Sequence, residues 1–264
     1  MTADRTSGDP VTEDAFLGGA LHILQPKFGY RAGLDGILLA ASVPANDGDT
    51  VLDIGAGVGT VGLAVARRLP HARVTMIERD PMLAALARKN IARNDLSARV
   101  RLIEADVTRP GSETIARGAA TESFDHVLAN PPFHIEGRGT AATDPVKAGA
   151  NAMPEGDLER WVRFMASMAR PGGTATLIHR ADALHAVLTA LDGRFGGAIV
   201  LPIHPREGEP ASRVLVQAIK GSRAALQVTP GLILHADTHG FRPAVEAVLR
   251  HGAALALGKG PAGP

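Results

Sequence analysis

A chain of 264 residues with a formal net charge of +1 and 45% hydrophobic residues is long enough for one large α/β domain with an ample core, and the lack of any cysteine excludes disulfides, thiolate nucleophiles and cysteine-held zinc or iron-sulfur centres. Aromatic residues make up only 3%, which argues against an extended base-stacking platform, and the near-neutral charge confines any nucleic-acid surface to local patches. No segment reaches the roughly 18 apolar residues of a membrane span. Residues 1–14 are polar, carry both charge signs and read as a disordered lead-in, not a signal peptide; the absence of cysteine fits the expectation of a cytoplasmic protein and is also compatible with secretion.

In chain order, 15–25 reads as two short strands around Gly18-Gly19, a hairpin, and 33–41 as an apolar helix ended by Pro44. From residue 50 onward strands and helices alternate. Strands are expected at 50–54, 73–77, 99–104, 124–129, 173–179, 198–203 and 213–219, and helices at 60–69, 81–94, 158–169 and 181–191. That alternation predicts a mostly parallel seven-stranded sheet covered on both faces. Residues 204–211 between the last two strands are too few for a crossover helix, so those strands are antiparallel neighbours. The organisation expected is a lead-in, a hairpin-and-helix extension over 15–45, a main domain over 46–257 and a glycine- and proline-rich tail over 258–264. The longest irregular stretch, 134–156, is of a length more often functional or disordered than idle.

The first motif is Asp53-Ile54-Gly55-Ala56-Gly57-Val58-Gly59-Thr60, a strand running through a glycine-rich turn into a helix. Glycines permit the tight turn and let a ligand approach the backbone. The spacing is Gly-x-Gly-x-Gly, not the Gly-x-Gly-x-x-Gly dinucleotide fingerprint, and Asp53 suits a cationic ammonium better than a pyrophosphate. S-adenosyl-L-methionine fits that turn better than a nicotinamide dinucleotide. Glu78, ending the second strand of this series with Arg79 beside it, is placed to accept from two ribose hydroxyls; a helix-start acid beside Asp80 is the plainer reading. Asp106, followed by Val107, ends the third strand, where a carboxylate can accept from an adenine amino group or merely cap a helix.

Asn130-Pro131-Pro132-Phe133 follows the fourth strand. Proline has no N–H and a φ near −65°, so neither proline extends a ladder, and the Pro131 carbonyl is left beside the Asn130 amide. Two acceptors side by side, with the Phe133 ring, make a clamp for a planar NH2 group; a simple strand end is the alternative. Ligands of open α/β sheets sit outside the carboxyl ends of the strands, where Asp53, Glu78, Asp106 and Asn130 fall in succession. His134 reads as a solvent-exposed polar residue before a substrate contact, Arg88, Lys89 and Arg93 as a solvated helix face before a contact to RNA phosphate, and Trp161 with Phe164 as core before a ligand box. The histidines show no metal-ligand spacing, and no metal is expected.

Taken together, the Asp-x-Gly-x-Gly-x-Gly turn, the acidic end of the next strand and Asn-Pro-Pro-Phe resemble the class I methyltransferases that act on nitrogens of planar groups. More narrowly, Lys27-Phe28-Gly29-Tyr30-Arg31-Ala32-Gly33-Leu34-Asp35-Gly36-Ile37-Leu38-Leu39-Ala40, the Asp53 turn and Ser212-Arg213-Val214-Leu215-Val216 are similar to the bacterial tRNA1(Val) (adenine(37)-N6)-methyltransferase family, over about 16–220. The resemblance implies a Rossmann-like fold, S-adenosyl-L-methionine as cofactor and RNA as partner. It also implies that Tyr30, Arg31 and Gly33 join Asp53, Gly55, Ala56, Gly57, Glu78, Arg79, Asp106, Val107 and Asn130 in the cofactor site, with Tyr30 and Arg31 reaching the methionine carboxylate; a surface ion pair is the equal alternative for Arg31. The family commonly has Tyr at the fourth motif position; Phe133-His134 also occurs in guanine-N2 methyltransferases of ribosomal RNA. The expected activity is methyl transfer to an exocyclic amine of an RNA base, adenine N6 in tRNA first, with guanine N2 in rRNA and glutamine N5 in a protein as alternatives. A non-catalytic RNA binder that kept the fold is the reading from another class.

Overall fold

The computed structural model describes residues 11–28, 31–46, 48–108, 118–132, 134–135, 152–153, 156–236 and 240–258. Its strands are β1 (Val11–Phe16), β2 (Leu21–Pro26), β3 (Thr50–Ile54), β4 (Arg73–Glu78), β5 (Val100–Glu104), β6 (Phe124–Ala129), β7 (His134–Ile135), β8 (Ala152–Met153), β9 (Ala169–Arg180), β10 (Phe195–His204), β11 (Arg213–Lys220), β12 (Gln227–Val228) and β13 (Leu232–Ile233). Its helices are α1 (Leu34–Ala41), α2 (Thr60–Arg68), α3 (Pro81–Arg93), α4 (Asp157–Met168), α5 (Leu184–Leu191) and α6 (Pro243–His251).

The seven expected strands form one sheet in the order β5-β4-β3-β6-β9-β11-β10. Strands β3 to β6 and β9 run parallel, and β11 is antiparallel to both β9 and β10. The strand count needs one correction: two-residue strands β12 and β13 pair in parallel with β10 at the far edge, making nine. The sheet is buried on both sides. One face carries α1, α2, α3 and α6 through Ile37, Leu63, Ile91 and Val245; the other carries α4 and α5 through Val162, Met165 and Val187. Complete burial explains why the central strands lack polar alternation.

Two further expectations change. The lead-in to residue 14 is too long, because β1 already begins at Val11 and pairs with β2 from Val11↔Pro26 to Phe16↔Leu21. Nor is the connection a two-residue turn: Leu17–Gly19 forms a 3-10 turn, with Leu17, Gly18 and Gly19 all at positive φ. Helix α6 was not anticipated, although Pro243 at its first turn and Gly252 in the left-handed conformation at its end are ordinary helix boundaries. It packs against the hairpin turn, where a Cβ on Gly18 would lie 2.6 Å from the Arg250 carbonyl oxygen. The Leu255 amide then donates to the Ala41 carbonyl at 2.9 Å. The 15–45 segment therefore shares one core with residues 243–257, with Leu17, Leu21, Ile37, Val248 and Leu257 in a single cluster.

Candidate active site

The C-terminal ends of β3, β4 and β6 meet at the point where the sheet's connections diverge to either side. Register places them level: Ile54 pairs with Ile77 and with Ala129. The chain leaves β3 through Gly55, Gly57 and Gly59, with φ of 67°, 57° and 92°, a left-handed run that side chains disfavour. At Gly55 space is a second constraint, since a Cβ would lie 2.3 Å from Cη2 of Trp161. The indole, expected in the core and buried there, thus rests on bare backbone of the turn.

Helix α2 starts from Gly59, which has no capping side chain. Asp53 supplies the missing acceptor: its Oδ2 takes the Gly62 amide at 2.9 Å, near the positive end of the helix dipole. Even so, burial at 1% exposure pushes the Asp53 carboxyl up to about 7, the Gly62 hydrogen bond opposing and the nearby Glu78 charge adding to the rise. Glu78 is also buried. Its Oε2 accepts from Gly57 N at 2.7 Å, and its Oε1 from the Arg79 and Asp80 amides at 2.7 and 2.8 Å. Capping of α3 falls to Asp80, which accepts from Met82 N and Leu83 N, so Glu78 is free of that duty and faces the glycine turn. Ala56 N donates to Ile77 O at 2.9 Å, a second tie between turn and β4.

Among the described residues no basic side chain pairs with Asp53 or Glu78. Two buried carboxylates side by side are costly unless positive charge offsets them. Their surroundings therefore suit a cationic ligand, and the sulfonium and ammonium of S-adenosyl-L-methionine fit that demand.

At the end of β6, Asn130 Oδ1 is buried and has no hydrogen-bond partner among the described residues. Pro131, next to it, is buried and Pro132 half-buried. An acceptor in that condition costs roughly 1–3 kcal/mol, and a donor from a bound molecule would relieve it. Four residues after Asn130, β7 begins and pairs in parallel with β8, which brings residues 134–135 and 152–153 of the 134–156 stretch together.

The remaining expected site residues divide. Asp106 Oδ1 accepts from Thr108 N at 3.0 Å and Thr108 Oγ1 at 2.7 Å, a local turn after β5; Val107 is buried and Arg79 exposed. Gly33 precedes α1 with an extended backbone and open space around it. Arg31 makes the ion pair that was its alternative reading: its guanidinium donates to Asp14 Oδ2 at 2.9 Å, Thr12 Oγ1 at 3.2 Å and the Pro26 carbonyl at 3.4 Å. Tyr30 and Phe133 lie outside the described residues.

Sequence reasoning missed Asn90 and Asn94. Asn90 lies on α3 and Asn94 caps its C-terminal end; Asn90 is fully buried and Asn94 nearly so. Asn94 Oδ1 accepts from His22 N and its Nδ2 donates to His22 O; Asn90 repeats the pattern with Leu24 N and Leu24 O. The two amides copy a strand ladder along the open edge of β2. The spare Asn90 hydrogen goes to Val58 O, in the glycine turn, at 2.9 Å. The signal was present as two asparagines four apart in an otherwise good helix, where asparagine is not favoured.

Fold and site together define a class I methyltransferase that uses S-adenosyl-L-methionine. The model of the methyltransferase small domain matches residues 34–158. A tRNA1(Val) (adenine(37)-N6)-methyltransferase of Shewanella sp. is 29% identical over 202 residues, 76% of this chain and 82% of that protein. Another so named, from Porphyromonas gingivalis, is 31% identical over 175 residues, 65% of this chain and 67% of its own length. Among solved structures, a predicted O-methyltransferase, protein Atu636 from Agrobacterium tumefaciens, is 37% identical with a TM-score of 0.71, covering 84% of this chain and 98% of its own. The chain belongs to the methyltransferase family in which those tRNA1(Val) (adenine(37)-N6)-methyltransferases fall.

Proposed function

We propose that this methyltransferase acts on an exocyclic amino group of an RNA base, adenine N6 in tRNA. The observation that carries the reading is the buried Oδ1 of Asn130, without a hydrogen-bond partner among the described residues and followed in sequence by Pro131. An exocyclic amine is a poor nucleophile because its lone pair is delocalised into the ring. Accepting its two hydrogens at the Asn130 oxygen and the Pro131 carbonyl favours a pyramidal nitrogen with the lone pair turned toward the cofactor. The work is positioning and electrostatics, with no covalent enzyme intermediate. Phe133 stacks on the extruded base in this scheme.

When bound, S-adenosyl-L-methionine supplies a methyl group activated on a sulfonium. Asp53 and Glu78 would offset its positive charge, Glu78 has acceptor capacity left that would serve the ribose, and Gly55, Ala56 and Gly57 would let the cofactor lie against backbone. Asp106 and Val107 would hold the adenine end. The tRNA assignment draws on the names of the relatives in Shewanella and Porphyromonas. Transfer to oxygen, suggested by the description of the Agrobacterium protein, leaves the second acceptor without use, since a hydroxyl has one hydrogen.

The test is tritiated methyl incorporation into total tRNA, rRNA and protein from a strain lacking this chain, followed by nucleoside analysis. Label recovered as N6-methyladenosine in tRNA is the expected result. Label in rRNA alone, as N2-methylguanosine, sinks the tRNA assignment, and label in none of the three sinks the amine reading.

A further inference from the structure

We infer that Asn90 is a positioning residue for the cofactor turn, acting through the Val58 carbonyl, and that the N-terminal hairpin is part of the cofactor site by way of the same side chain. The inference rests on the glycine turn being where S-adenosyl-L-methionine binds. Val58 is fully buried and stands between Gly57 and Gly59, both at positive φ. A peptide flanked by glycines rotates with little steric resistance. Its carbonyl is out of reach of bulk water and needs a donor to keep one orientation. Asn90 Nδ2 is that donor, at 2.9 Å, from a side chain with no exposed surface. Rotation of the 58–59 peptide would disturb its neighbours, because Gly59 N donates to Ala56 O at 2.8 Å and Gly59 O accepts from Leu63 N at 2.9 Å, the first turn of α2.

The same amide cannot move independently of the hairpin. Its other hydrogen goes to Leu24 O at 2.9 Å, and its oxygen takes Leu24 N at 2.8 Å, so both donors and the carbonyl are used. Asn94 provides the control. It bonds the same strand at His22 but makes no bond to the turn among the described residues. Loss of either asparagine strips β2 of a pair of hydrogen bonds; only loss of Asn90 releases Val58.

The experiment compares Asn90→Ala with Asn94→Ala by calorimetry of S-adenosylhomocysteine binding, well below the melting temperature of both. Asn90→Ala is expected to weaken binding about tenfold, the size of one buried hydrogen bond, while Asn94→Ala loses melting temperature with binding within about twofold of wild type. Equal affinities for Asn90→Ala and wild type overturn the inference, as does an equal loss in both variants, which would make hairpin integrity and not the Val58 bond responsible. Wild-type protein gives a readout that needs no variant to fold: saturation with S-adenosylhomocysteine slows exchange of the Leu24 amide about fivefold, and an unchanged rate overturns the inference. None of these measurements uses a methyl acceptor, so a wrong assignment of the RNA base leaves them intact. Failure of wild type to bind S-adenosylhomocysteine would instead remove the cofactor turn on which the inference stands.

Discussion

The two ends of the central sheet handle buried polar groups in opposite ways. At the N-terminal end, His126 on β6 lies with Nε2 3.0 Å from Asp49 Oδ2 and Nδ1 2.8 Å from Thr174 Oγ1. Beside it Asp125 accepts from Thr50 N at 2.8 Å and Thr50 Oγ1 at 2.7 Å, and pairs with Arg170 at 2.5 Å. Those contacts, Thr50 foremost, hold the Asp125 carboxyl below its usual range against the opposing effect of burial. At the C-terminal end the same strand is followed by Asn130, and at that end of the sheet neither its oxygen nor the two buried acids Asp53 and Glu78 have a cationic or donor side chain as partner among the described residues. Only four positions separate His126 from Asn130. A satisfied network stabilises the free protein, whereas an unsatisfied one stabilises whatever arrives to complete it.

The largest expected effect tests the open end. Asn130→Ala should lower methyl transfer about a thousandfold while cofactor affinity stays within about threefold, as for loss of a group that acts mainly in the transition state. Calorimetry showing cofactor binding lost in step with activity would place Asn130 in the cofactor site alone. The converse change tests the closed end. His126→Ala strands Asp49 and Thr174 and should cost about 2 kcal/mol in a denaturant titration, with S-adenosylhomocysteine affinity unchanged. A drop in affinity there would break the contrast, because it would make the two ends one unit.

How much of this was legible in sequence follows from the range of the interactions. The seven long strands and five of the helices were readable because each is a local run with its own period, and Asp80-Pro81 adds a capping signal before α3. That Glu78 and Asn130 each stand one position past the residue that pairs with Ile54, at the same end of the sheet as Asp53, was readable too, since each follows a recognisable strand. What stayed hidden depended on contacts distant in sequence. The role of Asn90 rests on Leu24 and Val58, 66 and 32 residues away, and no local pattern names such partners. Asp53 looked like a ligand for an ammonium group alone, and its grip on Gly62 required the helix to be folded over it. Arg31 was assigned by resemblance, and its partners on β1 fell inside residues read as a disordered lead-in.

A smaller effect concerns protonation at the open end. With its carboxyl raised to about 7, Asp53 is partly protonated at neutral pH in the free protein. Its raised value means that its contribution to stability is full below the ordinary carboxylate range and is lost as pH rises through about 7, where the buried charge forms. A cationic cofactor reverses the preference by favouring the ionised acid. Affinity for S-adenosyl-L-methionine should therefore rise about tenfold between pH 6 and pH 8, with a proton released on binding at the lower pH. Asp53→Asn keeps an acceptor for Gly62 N and should flatten the profile; a flat profile in wild type would mean that Asp53 does not sense the cofactor's charge.

The smallest effect decides whether Arg31 belongs to the open end or to the hairpin. Its guanidinium already serves Asp14, which is held below its usual range chiefly by the Gln25 hydrogen bond, with Thr12 and Arg31 adding to it. Gln25, buried, completes the link by accepting from Ala32 N at 2.8 Å. An exposed ion pair of this kind contributes under about 1 kcal/mol, so Arg31→Ala should barely move the denaturation midpoint. If Arg31 is a hairpin residue only, S-adenosyl-L-methionine affinity also stays within about twofold, since the charge it removes is spoken for by Asp14. A larger loss would require the guanidinium to leave Asp14 when the cofactor binds, and Asp14→Asn would then tighten binding by freeing it. Opposite changes in the two variants would carry Arg31 to the open end, where the hairpin would contribute a cation to the methionine carboxylate as well as the anchorage it gives through Leu24.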